Sequence, residues 1–245
     1  MNRSTTGGSM SGRIHDERTA AERDRAFLPG MGRAWLLPLY DVFTRVGGVH
    51  RLHARAVELA GVAPGQTVLD VGCGTGNLAL AVLAVQPTAR VTGLDPDGDA
   101  LRRAGRKARR RGLRLELVQG FADRVPVEDG SVDHLVSALA LHHVDDGSRE
   151  GFAREARRVL RPGGTVTIVD VGGGLHGHDH GPDHDRGRGR RHGWRRPRLQ
   201  DLPVVAPNRG DGIPALLRAA GLVDAREVDH TEHRFGRITF VQATR

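Results

Sequence analysis

The stretch VLDVGCGTGNLAL, Val68 to Leu80, decides the fold. A short apolar run ends in Asp70 and Val71, glycines follow at 72, 74 and 76, and a second apolar run of helical length begins at once. That order reads as strand, tight turn and helix start. Alternate glycines let the backbone come close to a ligand, because side chains there would fill the space. In an open parallel sheet such a ligand lies beyond the carboxyl end of the strand.

Working outward, the same alternation repeats. Upstream, Val49 to Ala60 has helical apolar spacing and leads through Gly61, Pro64 and Gly65 to a strand at Thr67 to Val71. Downstream, the helix from Gly76 to Val85 stops at Gln86 and Pro87. Strands are predicted at Arg90 to Leu94, Leu113 to Val118, Val132 to Ser137 and Thr165 to Val171, with helices at Gly98 to Arg111 and Ser148 to Leu160 between them. A helix at Ile213 to Ala220 and a hairpin of Val223 to Val228 with Arg237 to Ala243 complete the pattern. Strands alternating with helices specify a parallel sheet. The expected fold class is α/β: a doubly wound, Rossmann-like, seven-stranded and mostly parallel sheet with an antiparallel last strand.

The expected organisation is a flexible tail over residues 1–24 and a single domain over 25–245. Within that domain, residues 172–212 are a His/Arg/Gly-rich loop or disordered insertion, since the composition there cannot form a core. His176, His178, His180 and His184 invite a metal, but their glycine-rich spacing fits a solvated loop better, and no metal site is assigned. The aromatic cluster between Phe27 and Val46, broken by Pro29 and Pro38, predicts two short capping helices.

A net charge of +8 and a pI near 11.1 raise the question of a polyanionic partner. Lys107 is the sole lysine, so arginine supplies almost all of that charge, as coding bias does, and nucleic acid is not the first partner inferred. The single cysteine, Cys73, excludes an internal disulfide and a thiol-rich metal site. No apolar run approaches the ~20 residues that span a bilayer, so a soluble, cytoplasmic protein is expected.

Two cofactor classes use such a turn. A dinucleotide requires G-x-G-x-x-G, and the position of the third glycine holds Asn77. Asp70, just ahead of the turn, suits a ligand carrying a positive amino group and no pyrophosphate. Asp95 ends the next strand, where a carboxylate accepts hydrogen bonds from both ribose hydroxyls. The alternative for Asp95 is a helix N-cap, for which Asp97 and Asp99 stand nearer.

With VLDVGCGTG, VTGLDPD, RVPVEDGSVDHLVSALALHHV and RVLRPGGTVTIVD in this order, the chain resembles the class I S-adenosylmethionine-dependent methyltransferases. It is most similar to the small-molecule group around the ubiquinone/menaquinone biosynthesis C-methyltransferases. The resemblance implies S-adenosyl-L-methionine as cofactor. Asp70, Gly72, Cys73, Gly74 and Gly76 would surround its amino-acid part, with Asp95 and Pro96 at the ribose. The loop after the third strand, Phe121, Ala122 and Asp123, would meet the adenine, and Ser137 would line the site from the fourth strand. Phe121 stands where the group has an acid, so either Asp123 takes the adenine amino group or Phe121 offers its ring. Asp123 is weighed slightly higher.

Methyl transfer from a sulfonium is an in-line displacement that mainly needs alignment and exclusion of water, so a base is optional. His142 and His143 are the candidate bases, the alternative being a helix-start histidine bonded to backbone. The segment after the fourth strand lacks the Asn/Asp-Pro-Pro-aromatic pattern of base N-methylation. Cys73 lies inside the turn and is not available as a covalent nucleophile. The function that follows is transfer of a methyl group to a small organic acceptor. Two other classes stay open: a nucleic-acid-directed methyltransferase or binding module using the arginine-rich surface, and an inactive methyltransferase-fold binding protein.

Overall fold

Runs rich in Val, Leu and Ile lay down the sheet, and each is covered by a helix whose apolar face is legible in its spacing. The structure, a computed structural model, describes residues 14–25, 48–172, 202–234 and 236–245. In chain order the elements are β1 (Ile14–Asp16), α1 (Ala20–Arg23), α2 (Val49–Ala60), β2 (Thr67–Val71), α3 (Asn77–Val85), β3 (Arg90–Asp95), α4 (Gly98–Arg110) and β4 (Glu116–Gln119). There follow β5 (Val132–Ala138), a 3₁₀ turn at Leu141–His143, α5 (Asp146–Val159), β6 (Leu160–Val171), a 3₁₀ stretch at Pro203–Asn208, α6 (Gly212–Ala219), β7 (Val223–His233) and β8 (Gly236–Thr244).

The sheet order is β1-β4-β3-β2-β5-β6-β8-β7. All neighbours are parallel up to β6, and β8 runs antiparallel to both β6 and β7. The chain therefore winds outward from β2 through β3 to β4, then returns to build β5 and β6 on the other side. That reversal opens a crevice at the carboxyl ends of β2 and β5, where open α/β sheets take their ligands.

Two apolar layers clamp the sheet. On one face α2 contributes Leu52, Ala56 and Ala60, α3 contributes Leu78, Leu80 and Leu83, and α4 contributes Leu101, Ala104 and Ala108. On the other, Phe152, Ala156 and Val159 of α5 join Ile213 and Leu217 of α6. The helix α4 shows how narrow such a stripe can be: small apolar residues at 100, 101, 104 and 108 are buried between arginines that reach solvent. Asp97 caps it, accepting from the N–H groups of Asp99 at 2.9 Å and Ala100 at 3.1 Å.

The α/β class, the mostly parallel winding and the closing hairpin are as expected, with eight strands among the described residues in place of seven. The additional strand corrects the tail assignment. Residues 14–25 are not a free tail: Ile14–Asp16 pair with Leu117–Gln119, and Thr19 with Glu22 form a reciprocal capping box on α1. A three-residue strand has too few positions to show a period, but Thr19-x-x-Glu22 was a readable signal. The insertion is also shorter than 172–212, because Val205 and Asn208 are buried and Asn208 Nδ2 donates to the Val171 carbonyl at 3.0 Å. The aromatic helices expected over 27–46 and the histidine cluster at 176–184 lie outside the described residues. The Arg161–Gly164 turn sits within β6 as a register shift against β5, with Gly163 at φ +77°.

Gly76 has a structural task. It stands at φ +75° as the N-cap of α3, and a Cβ there would lie 2.8 Å from the Ala104 Cβ on α4. Gly76→Ala combines left-handed strain of about 1–2 kcal/mol with overpacking of about 1–3 kcal/mol. A loss of about 2–5 kcal/mol in denaturant unfolding is expected; an unchanged midpoint would rule out this packing role.

Candidate functional site

The carboxyl ends of β2, β3, β4 and β5 surround a cavity of about 500 Å³. Its floor is the glycine turn. The N–H groups of Gly72 and Cys73 both donate to the Leu94 carbonyl, at 2.9 and 3.1 Å, which ties the turn to the end of β3. Gly72 has φ +72°, and a Cβ there would meet the Ala140 Cβ at 2.4 Å, so only glycine lets the two loops approach. Gly74 differs: at φ +51° it has nothing within 4 Å of a built Cβ, leaving its face to the cavity.

Two carboxyls define the electrostatics. Asp70 is 1% exposed and accepts from the Ala79 N–H at 3.0 Å. Burial pushes its pKa up to about 7, against the Ala79 hydrogen bond and with help from the Asp95 charge. Asp95 accepts from the Gly74 N–H at 2.7 Å and from the Asp97 N–H at 2.8 Å. Burial lifts it to about 6, opposed by those two donors and assisted by Asp97. Because Asp97 is the helix cap, Asp95 is released from that task, as expected from the sequence. Burial, then the two carboxylates, raises the Cys73 thiol and leaves it inert toward nucleophilic chemistry.

Of the residues expected at the cofactor, Asp70, Gly72, Cys73, Gly74, Asp95, Pro96, Phe121, Ala122, Asp123 and Ser137 all line this one cavity. Gly76 does not line it, for the packing reason given above. Both oxygens of Asp123 accept from Arg25 Nη1, at 3.0 and 2.8 Å, while Asp123 and Phe121 both face the cavity.

The two histidines separate. His142 is 3% exposed and does not line the cavity; its Nδ1 lies 2.5 Å from Asp170 Oδ1, and its N–H donates to Asp170 Oδ2 at 3.0 Å. It is thus a buried anchor for the 3₁₀ turn, not a base at the cavity. His143 does line the cavity, with its ring centroid 4.0 Å from that of His142. Burial, then His142, depresses its pKa to about 4. Asp145 caps α5 through the Ser148 N–H at 3.1 Å.

Sequence reasoning missed Arg25, His53, Val204 and the backbone of Leu139, all on the cavity wall. His53 comes from α2, and burial with the Lys107 and His50 charges lowers it to about 4. Leu139 has φ +54° at the end of β5, with its N–H donating to the Val169 carbonyl at 2.7 Å. A non-glycine held there marks a constrained wall.

Residues 68–164 match the family model described as "Methyltransferase domain". That central stretch is thus similar to methyltransferase domains. The chain is 35% identical over 137 residues to the ubiquinone/menaquinone biosynthesis C-methyltransferase of Pseudomonas fluorescens, covering 54% of this chain and 53% of that protein. It is 34% identical over 138 residues to the demethylmenaquinone methyltransferase of Thermus thermophilus, covering 55% and 62%. The chain thus spans a little over half the length of these relatives. Among solved structures it resembles a SAM-dependent methyltransferase from Aquifex aeolicus, with a TM-score of 0.56, 21% identity and coverage of 78% and 88%. The domain and fold imply S-adenosylmethionine as cofactor, and the site fits it: a glycine floor with the buried Asp70 and the half-buried Asp95 facing a cavity is suited to a cationic amino-acid end and a ribose. Among the described residues no helix is long and apolar enough to cross a membrane.

Asp70 sets a pH test. Its folded value near 7 exceeds the ordinary 3.8, so the folded state holds the proton more tightly. The contribution of this group to stability is present below pH 4 and is lost as pH rises to 7. Asp70→Asn keeps an acceptor for Ala79 and removes the buried charge. At pH 8 the ligand-free variant should exceed the native protein by about 1–3 kcal/mol, with a much smaller gain at pH 5. Equal gains at both pH values in urea unfolding would sink the assignment.

Proposed function

We propose that the protein transfers a methyl group from S-adenosylmethionine to a small, uncharged organic acceptor. The observation carrying this is that one cavity joins two acids, Asp70 and Asp95 over the glycine turn, to a largely apolar wall of Leu139, Leu141, Val144, Phe152 and Val204 with His53 and His143 beside it, while Arg25 in the same lining is ion-paired with Asp123 and Asp145. Both imidazoles have pKa values pushed down to about 4, so both are neutral at physiological pH. Such a wall favours a neutral acceptor over a phosphate or carboxylate.

The cofactor supplies the activated methyl group on its sulfonium. Asp70 would hold the α-amino group, and Asp95 would accept from the ribose hydroxyls while its Gly74 and Asp97 bonds keep it oriented. Gly72 and Gly74 allow close backbone approach. Phe121 and Ala122 would bound the adenine. His143, neutral and weakly basic, would accept a hydrogen bond from an acceptor hydroxyl and orient it; the depressed pKa makes it a poor proton sink. Acceptors that are acidic or already nucleophilic therefore fit best. The quinone-directed relatives make a reduced quinone with a reactive ring carbon the first acceptor to try. Nothing in the described residues favours the nucleic-acid-directed or the inactive alternative.

Calorimetry with S-adenosylmethionine and S-adenosylhomocysteine tests the donor. Asp95→Ala should weaken both about 10- to 100-fold, in keeping with the loss of charge-assisted hydrogen bonds. His143→Gln should leave cofactor affinity within about twofold while raising the KM of a reduced-quinone acceptor, since the residue faces only the acceptor half. Absence of cofactor binding in the native protein would overturn the proposal.

A further inference from the structure

The cavity wall beside Phe121 is completed by a residue from outside the methyltransferase core. Arg25 follows β1 and α1, and its side chain reaches the cavity. Nη1 donates to both oxygens of Asp123, at 3.0 and 2.8 Å, and Nη2 donates to Ser148 Oγ at 2.5 Å. Asp145 Oδ2 lies 3.7 Å away, and the guanidinium carbon stands 4.5 Å from the centroid of the Phe121 ring. Each of these partners is itself fixed. Asp123 packs so closely on α5 that a Cβ at Gly151 would lie 2.5 Å from its own. The Ser148 hydroxyl donates to Asp145 Oδ2 at 2.6 Å.

The segment bearing Arg25 is held independently. Besides the β1 pairing and the Thr19 capping box, Arg124 donates to both carboxylate oxygens of Glu22, at 2.8 and 2.6 Å. Residues 14–25 thus form a strap across the β4 edge that delivers one guanidinium to the cavity.

We infer that Arg25 is a cofactor-contacting residue: its guanidinium, locked by Asp123 and Ser148 against Phe121, forms the purine-side wall of the site. A planar, delocalised and weakly hydrated cation stacks on flat π-systems, which an ammonium does not do as well. Its orientation is fixed before binding, so little side-chain freedom is lost when a base docks. Asp123 neutralises it, so the wall does not repel a sulfonium bound nearby. This inference rests on the cavity being an S-adenosylmethionine site.

The test uses two ligands on the full chain: S-adenosylhomocysteine, and 5′-methylthioadenosine, which keeps the adenine and ribose but lacks the amino acid. By calorimetry, Arg25→Ala should weaken both by a similar factor, about five- to thirtyfold. Asp70→Asn should weaken only S-adenosylhomocysteine. Arg25→Lys, which keeps the charge beside Asp123, should recover only part of the loss. It decides the matter if Arg25→Ala melts below the assay temperature. Native-like binding of both ligands by Arg25→Ala, a loss confined to S-adenosylhomocysteine, or complete recovery with lysine would each overturn the inference. If the native protein binds neither ligand, the proposed function falls first, before any variant is compared.

Discussion

Two acids at the ends of adjacent strands, Asp70 buried and Asp95 half-buried, are the constraint around which the rest is arranged. Asp70 and Asp95 both lose hydration, and a neighbouring carboxylate makes ionisation harder still: Asp95 for Asp70, and Asp97 for Asp95. Desolvation outweighs the backbone donors that oppose it, leaving both pKa values well above the ordinary carboxylate range. A fold tolerates such a pair when a cationic or multiply hydroxylated ligand completes it. The glycine turn follows from the same requirement. Gly74 supplies a donor to Asp95, the turn is tied to Leu94, and Ala79 in the first turn of α3 donates to Asp70. The parallel sheet makes this economical, since β2 and β3 in register bring Asp70 level with Gly93 and Val71 with Leu94.

How much of this was legible depended on sequence distance. The strand, turn and helix around Val68 to Leu80 are local, and so was the contest for the α4 cap: Asp97 lies next to the helix it caps. The histidine pair was not decidable in this way. His142 and His143 are adjacent and chemically identical in sequence, and what separates them is Asp170, 28 residues on, which draws His142 into the interior. Arg25 was less visible still, because its partner Asp123 lies 98 residues away and a single arginine in a polar stretch carries no pattern. Gly76 shows another limit. A glycine needed to seat one helix on another looks the same in sequence as a glycine needed to admit a ligand, and only the position of Ala104 tells them apart.

The two halves of the cavity differ in how they are built. Donor-side residues sit on strand ends whose spacing the sheet dictates, and the hydrogen bonds among them are mostly backbone to carboxylate. The residues proposed to face the acceptor come from α2, from the turn after β5 and from the 3₁₀ stretch at Pro203–Asn208, elements that belong to no common repeat. Asp170 links these parts: its carboxylate holds residue 142 by both main chain and ring, and its own neighbour Val171 receives the Asn208 side chain. Arg149 adds a second tie, donating to the carbonyl of Leu141 at 3.0 Å and toward that of Pro207 at 3.4 Å. This wall of the cavity is therefore tied down where it meets β5 and β6.

That rigidity bears on the chemistry. Leu139 is held at a positive φ and Gly72 is pressed against Ala140, so the turn after β5 has little freedom to move toward or away from the donor side. In-line displacement is sensitive to the distance and angle of approach, and a fixed wall supplies alignment without a strong base. The depressed pKa of His143 is consistent with this division of labour, because the burial that weakens it as a base also excludes the water that would compete for the methyl group.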